Sequence, residues 1–378
     1  MFRGCGSHSL LVAAILVLNG CGSDAAGSPM DPGGSDAATR SDGGTDTDGS
    51  GMDATMDAMP AAPSVRFVGR VEKSDGGTRF EWPGVSLHAN FTGASVAMDL
   101  SDTSATEFAV FVDGTEHPKI VATAGRKTYP LASGLSSGAH ELAVWRRSES
   151  TVGLSVFHGL VFDPLGALLP PPAPLPRRIE IIGDSITVGY GNEGAPGCRY
   201  SNDTENNYLA YGSVAARAVG AELSTVAWSG LGMYRNYGDV GAAAKPLPFY
   251  YDDALPTVPT PWNFSLFIPD LVVINLGTND SSTQGDPGQP FIDAYVAFIR
   301  RIRLHYPSAW ILCIDATAAV TSDIAQVVST THAGGDMKIE AFTLTGQNGS
   351  GCDGHPNVAS DALMGASLAG EIRRVMGW

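Results

Sequence analysis

The stretch Ile179-Glu180-Ile181-Ile182-Gly183-Asp184-Ser185-Ile186-Thr187-Val188-Gly189-Tyr190-Gly191 constrains this chain most. A short apolar run opens into a Gly-Asp-Ser turn and then a glycine-rich segment, the pattern of a buried parallel strand that carries a serine at its C-terminal tip. Open α/β sheets place their chemistry at that edge, which makes Ser185 a candidate nucleophile. Apolar runs at 178–183, 222–227, 270–276, 309–314 and 338–343 alternate with helical patterns at about 206–219, 289–304, 321–331 and 357–376. Such alternation predicts a parallel sheet with both faces covered over residues 177–378.

The text before this region has a different rhythm. Short β-rich runs at 64–71, 86–91, 95–100, 108–112, 119–123, 141–145 and 154–162 are punctuated by Asp75-Gly76-Gly77, Asp113-Gly114 and Ser137-Gly138. They predict an all-β sandwich over residues 63–165. Residues 166–176 contain Pro170-Pro171-Pro172 and Pro174, a stiff connector to the Ser185 strand. No internal repeat is visible.

Residues 1–21 have the form of a signal peptide, with Arg3 followed by an apolar stretch too short to span a membrane. Leu18-Asn19-Gly20-Cys21 resembles a bacterial lipobox, which predicts a lipidated Cys21 and a cell-surface lipoprotein; Asn19 is an unusual occupant and leaves ordinary secretion as the alternative. Residues 22–62 hold eight Asp, one Arg and no aromatic residue, a composition expected of a disordered spacer. This tail carries −7 of the net −16 and the leader +1, leaving −10 on residues 63–378. Without clustered Lys and Arg, a nucleic-acid partner is excluded. In an oxidising compartment Cys198 and Cys352, both in glycine-rich loops beside candidate site residues, are expected to form a disulfide; Cys313, in an apolar run, is expected to be a buried thiol.

A serine at a strand tip does chemistry only with a base and a site for the oxyanion. Three later loops supply candidates: Trp228-Ser229-Gly230-Leu231-Gly232, Asn275-Leu276-Gly277-Thr278-Asn279-Asp280, and Cys352-Asp353-Gly354-His355-Pro356-Asn357 before the last helical pattern. Taken singly, each has a plainer reading as a turn, an N-cap or a surface histidine. Together, in this order, they describe one active site. Gly189-Tyr190-Gly191-Asn192-Glu193-Gly194 spells G-x-G-x-x-G, but Ala195-Pro196-Gly197 opens no helix, so no dinucleotide is expected. The nucleophile turn also lacks the second glycine of an α/β-hydrolase elbow. No His, Cys and carboxylate cluster has zinc spacing, so neither metal nor cofactor is expected.

The four blocks, Gly183-Asp184-Ser185, Gly230, Gly277-Thr278-Asn279-Asp280 and His355, resemble the SGNH hydrolase superfamily. Over residues 64–378, with Gly69-Arg70 near the start, the chain is similar to carbohydrate esterase family 2, whose members join a β jelly roll to an SGNH domain and remove acetyl groups from plant polysaccharides. The resemblance implies an α/β fold, a three-layer SGNH sandwich preceded by a jelly-roll sandwich. It implies Ser185 as nucleophile, His355 as general base, and an oxyanion hole made by the Ser185 and Gly230 N–H groups and the Asn279 amide. The superfamily's usual acid position, three before the histidine, is Cys352 here. Asp353 is therefore the third member of a triad, unless a backbone carbonyl orients His355 in a Ser-His dyad. Trp262 and Tyr190 are the expected sugar contacts, with Arg235, Asn236 and Tyr237 at the rim. The expected enzyme is a monomeric serine esterase acting on acetylated polysaccharide, touching a membrane only through its anchor. A lipase or thioesterase with the same core, or a carbohydrate-binding protein with a decayed site, are the alternatives.

Overall fold

A computed structural model describes residues 62–378. The expected leader, the expected lipidation at Cys21 and the acidic spacer up to residue 61 lie outside the described residues. The first part holds eleven strands, β1 (Arg66–Val68), β2 (Glu72–Ser74), β3 (Gly77–Phe80), β4 (Ser86–Thr92), β5 (Ser95–Asp102), β6 (Glu107–Val112), β7 (Thr115–Val121), β8 (Gly125–Ser133), β9 (Ala139–Arg146), β10 (Ser155–Phe162) and β11 (Ala167–Leu168). They form two antiparallel sheets, β1-β4-β9-β6-β7 with β11 on β4, and β2-β3-β10-β5-β8. Side chains alternate between core and surface along β5, so Val96, Met98 and Leu100 meet Leu87, Ala89, Phe91 and Val110 of the facing sheet.

β8 escapes the sequence pattern because it is an edge strand, mostly exposed, with Pro130 beside a register shift against β5. The sandwich also runs further than residue 165. β11 pairs with β4, and Leu169 N–H donates to Asn90 O at 2.8 Å, so the connector's first residues belong to the sheet.

The second part is β12 (Arg177–Gly183), α1 (Ser185–Val188), α2 (Tyr211–Ala218), β13 (Ala221–Ala227), α3 (Leu247–Tyr250), β14 (Leu271–Asn275), α4 (Thr278–Ser281), α5 (Gln289–His305), β15 (Trp310–Asp315), α6 (Thr321–Ala333), β16 (Ile339–Thr343) and α7 (Val358–Met376). All five strands are parallel, in the order β13-β12-β14-β15-β16. Ile179, Ile181, Leu223, Val273 and Leu312 pack against Tyr211, Met364, Leu368 and Ile372 of α2 and α7. Ile182, Val272, Ile274 and Ile311 face the other way, toward Phe291, Tyr295, Ile299 and Ile324 of α5 and α6. The helical pattern from 206 becomes a helix only at Tyr211, because the Asn206 side chain caps a separate 3-10 turn at Asn207–Leu209.

The two parts make one compact unit. A fully buried ion pair ties them together: Arg70 Nη2 donates to Glu180 Oε2 at 3.1 Å, both side chains wholly inaccessible. Tyr251 OH donates to the other Glu180 oxygen at 2.7 Å, and the guanidinium lies 4.7 Å from the Tyr251 ring and 5.2 Å from that of Phe264. Glu180 sits on β12, so the strand that carries Ser185 is clamped to the β-sandwich. Removing one partner strands a buried charge, at a cost of about 3–5 kcal/mol. Arg70→Met alone should lower the unfolding free energy by that amount in a denaturant titration, and Arg70→Met with Glu180→Leu should recover most of it.

Candidate active site

Because β12 lies between β13 and β14, the chain leaves its first parallel strand in one direction and crosses back in the other. The crevice at the carboxyl end of β12 is the switch point of the sheet. Ser185 stands there as the first residue of α1, 7% exposed. Asp184 caps that short helix, its Oδ1 accepting from Ile186 N at 3.1 Å. Burial, with Asp280 nearby, raises the Asp184 carboxyl to about 7.

His355 reaches the same point from the loop before α7, and its Nε2 is 2.8 Å from Ser185 Oγ. This is the geometry of a nucleophile and its base. Burial pulls the His355 pKa below 6.5, opposed by the neighbouring carbonyls of Cys352 and Asp353 and by the Asp353 charge. The base is therefore neutral, and able to take a proton, at neutral pH.

The Asp353 side chain does not orient His355. Its Oδ2 accepts from Tyr200 N at 2.8 Å and Tyr190 OH at 3.3 Å, and His355 Nδ1 has no hydrogen bond of ordinary geometry. Asp353 adopts a left-handed backbone, φ 50°, in the Cys352–Gly354 turn. The groups left beside the ring are the Cys352 and Asp353 carbonyls.

The oxyanion candidates come from the loops after β13 and β14. Gly230 follows β13 in the left-handed region, φ 81°, and a Cβ there would meet no atom within 4 Å, so glycine serves the backbone turn rather than a tight contact. Asn279, in α4, is buried and donates one Nδ2 proton to Leu231 O at 2.8 Å. The other makes a longer, 3.4 Å hydrogen bond to Asp184 Oδ2. Asp280 fixes the loop after Gly230 by accepting from the N–H groups of Met233, Tyr234 and Arg235 at 2.7–2.8 Å.

Cys198 and Cys352 are joined. The bridge fastens the loop after α1 to the His355 loop, together with Cys352 N to Gly191 O at 3.0 Å and Asp353 N to Cys198 O at 2.9 Å. Gly194 lies against it, and a Cβ there would sit 2.1 Å from Cys352 Sγ. The G-x-G-x-x-G run thus wraps the catalytic loop and opens no helix. Cys313 is buried and unpaired, its thiol pushed up to about 12 by burial.

Among the expected sugar contacts, Tyr190 lies beside His355. Its ring lies 4.4 Å from His355 and stacks on Tyr200 at 4.1 Å. Trp262 is not a platform: it is 7% exposed and packs with Val68, Ala254 and Phe267, because its segment folds inward around Arg70. Arg235 is likewise no rim residue, since its guanidinium is buried on the carbonyls of Asp280 and Gly285. Tyr237 is 67% exposed and its N–H bonds Gly230 O at 2.8 Å. A separate cavity of about 320 Å³, lined by Phe111, Trp145, Tyr208 and Arg217, opens near the start of β13 and includes none of these residues. Glu149, Tyr200 and Glu205, which surround the site, were not indicated by the sequence; the only signal was a charged cluster, Arg146-Arg147-Ser148-Glu149, inside an otherwise apolar β region.

Residues 67–172 match the family description "Carbohydrate esterase 2 N-terminal" and residues 181–340 the "GDSL-like Lipase/Acylhydrolase family". The solved structure of a family two carbohydrate esterase from Clostridium thermocellum in complex with cellohexaose superposes with a TM-score of 0.80 at 36% identity, over 83% of this chain and all of that one. The chain belongs to carbohydrate esterase family 2. It is also 36% identical to the cellulase/esterase CelE of Acetivibrio thermocellus over 84% of its own length, spanning 40% of that larger protein. An acetylxylan esterase / glucomannan deacetylase of Cellvibrio japonicus is 27% identical over 79% of this chain and 86% of its own.

With the Asp353 carboxylate turned away, Asp353→Ala should keep kcat within about tenfold, whereas His355→Ala should lose on the order of 10³-fold or more in the same assay. The kcat/KM profile should rise with pH through a midpoint below 6.5, since the active base is neutral and burial lowers its pKa.

Proposed function

We propose that this family 2 enzyme is a serine esterase that removes O-acetyl groups from plant-type polysaccharides, acetylated xylan or glucomannan. The 2.8 Å contact between His355 Nε2 and Ser185 Oγ at the switch point carries this reading. The names of the relatives supply the substrate class.

In the first half-reaction His355 takes the Ser185 proton as Oγ attacks the acetyl carbonyl. The carbonyl oxygen becomes negative, stabilised by the Ser185 and Gly230 N–H groups and the Asn279 amide; removal of one such donor costs about 10²–10³ in rate. His355 then gives its proton to the departing sugar hydroxyl, leaving acetyl-Ser185. Water enters, loses a proton to His355 and attacks the acyl group, and acetate departs as Ser185 Oγ recovers the proton. Tyr190, which packs on the His355 ring, forms one wall of the sugar site. The proposal includes cell-surface attachment through a lipidated Cys21, with the acidic spacer as tether and the Cys198–Cys352 bond consistent with an oxidising compartment.

Purified enzyme should release acetate from acetylated xylan, acetylated glucomannan and 4-nitrophenyl acetate, and Ser185→Ala should abolish release. Absence of acetate from all three with the wild-type chain overturns the reading, and a preference for long acyl chains reassigns the enzyme as a lipase.

A further inference from the structure

We propose that Glu149 of the β-sandwich is a positioning residue for the oxyanion loop, so that the sandwich builds part of the catalytic site. The inference rests on the esterase reading above.

The connection between β9 and β10 would ordinarily be a surface loop. Here Arg147, Ser148, Glu149 and Ser150 are all buried. Arg146, fully buried at the end of β9, gathers the turn by donating to the carbonyls of Ser148 at 2.9 Å, Glu149 at 3.0 Å and Gly153 at 2.6 Å, and to Ser155 Oγ at 2.9 Å. Ser155 Oγ in turn donates to Asp102 Oδ2 at 2.6 Å, so the turn is anchored in its own sheet. What this rigid turn presents to the α/β part is the Glu149 side chain.

Glu149 Oε2 accepts from Ser229 N at 2.9 Å. Ser229 immediately precedes Gly230, so the carboxylate fixes the peptide plane next to the one whose N–H the esterase reading assigns to the oxyanion. Gly230 needs such support, because a left-handed glycine in a turn has more backbone freedom than any other residue. Glu149 is held in turn: its own N–H donates to Glu205 Oε1, and Tyr200 OH donates to Glu205 Oε2 at 2.7 Å. Tyr200 carries the stack onto Tyr190 and His355. Arg147 completes the grip by pairing with Glu193 and donating to Glu205 O at 3.2 Å.

Burial pushes the Glu149 and Glu205 carboxyls upward, and the Glu149 charge adds to the shift at Glu205. Two adjacent buried carboxyls are a costly way to hold two domains together when apolar side chains would do. One of them spends its hydrogen bond on the residue before Gly230, which is the observation that favours a positioning role over simple docking.

Glu149→Ala, Glu149→Gln and Glu149→Asp should be compared with wild type on 4-nitrophenyl acetate, alongside thermal unfolding. Glu149→Ala should lower kcat about 10–100-fold with KM within about twofold. Inhibition by a small alkylboronic acid, which forms a tetrahedral adduct on serine, should weaken by a similar factor, and the acid limb of the pH profile should stay where it is. Glu149→Gln keeps an oxygen for Ser229 N and should restore kcat to within about threefold. If Glu149→Ala fails to fold, Glu149→Asp decides: its shorter side chain withdraws from Ser229 N and should show the same loss. Wild-type kcat in the folded Ala or Asp variant overturns the inference, as does a loss that Gln does not rescue or that falls on KM instead of kcat. Absence of turnover in the wild type would overturn the esterase reading instead.

Discussion

A parallel sheet whose first strand lies between its second and third leaves a crevice at that strand's carboxyl end, and everything catalytic in this protein depends on that crevice. β12 ends there in Gly183, so Ser185 opens a helix of four residues with its hydroxyl at the sheet edge. β13 and β14 flank it, and their following loops bring Gly230 and Asn279 to the same edge. The loop before α7 brings His355. No single element holds more than one of the four groups, so the site exists only when the sheet order is correct.

Buried charge joins the β-sandwich to this edge at two levels. Arg70 and Glu180 clamp β12 along its length, where an unpaired charge would be intolerable in an apolar core. Glu149 and Arg147 act nearer the tip, one on the backbone before Gly230 and the other on the segment between Glu193 and Glu205. The Cys198–Cys352 bond then links that segment to the histidine loop. The sandwich, the oxyanion loop and the base thus share one connected frame.

Much of this was legible in the sequence, for local reasons. A strand buried on both faces reads as an apolar run, and Gly-Asp-Ser, Gly-Thr-Asn-Asp and Asp-Gly-His-Pro are turn chemistry written in consecutive residues. The strand order of the sandwich leaves no such mark, and neither does β8, because an exposed edge strand needs no apolar alternation. Trp262 looked like a sugar platform because indole suits both a pyranose and a core, and only the inward course of its segment around Arg70 decides between them. Asp353 stood at a plausible spacing from His355, but spacing does not fix the direction of a carboxylate on a residue with positive φ.

The sequence by itself determined the two-part architecture and the order of the loops that carry Ser185, Gly230, Asn279 and His355, because those depend on periodicity and on residues adjacent in the chain. Only the tertiary structure decided where the Asp353 carboxylate points and what meets the backbone before Gly230. Tyr200 and Tyr190 occupy the Asp353 carboxylate from 153 and 163 residues away, and Glu149 meets Ser229 across 80. Hydrogen bonds over such separations leave no local pattern; they are set by which surfaces meet once both parts have folded, and by the need of every buried polar group for a partner.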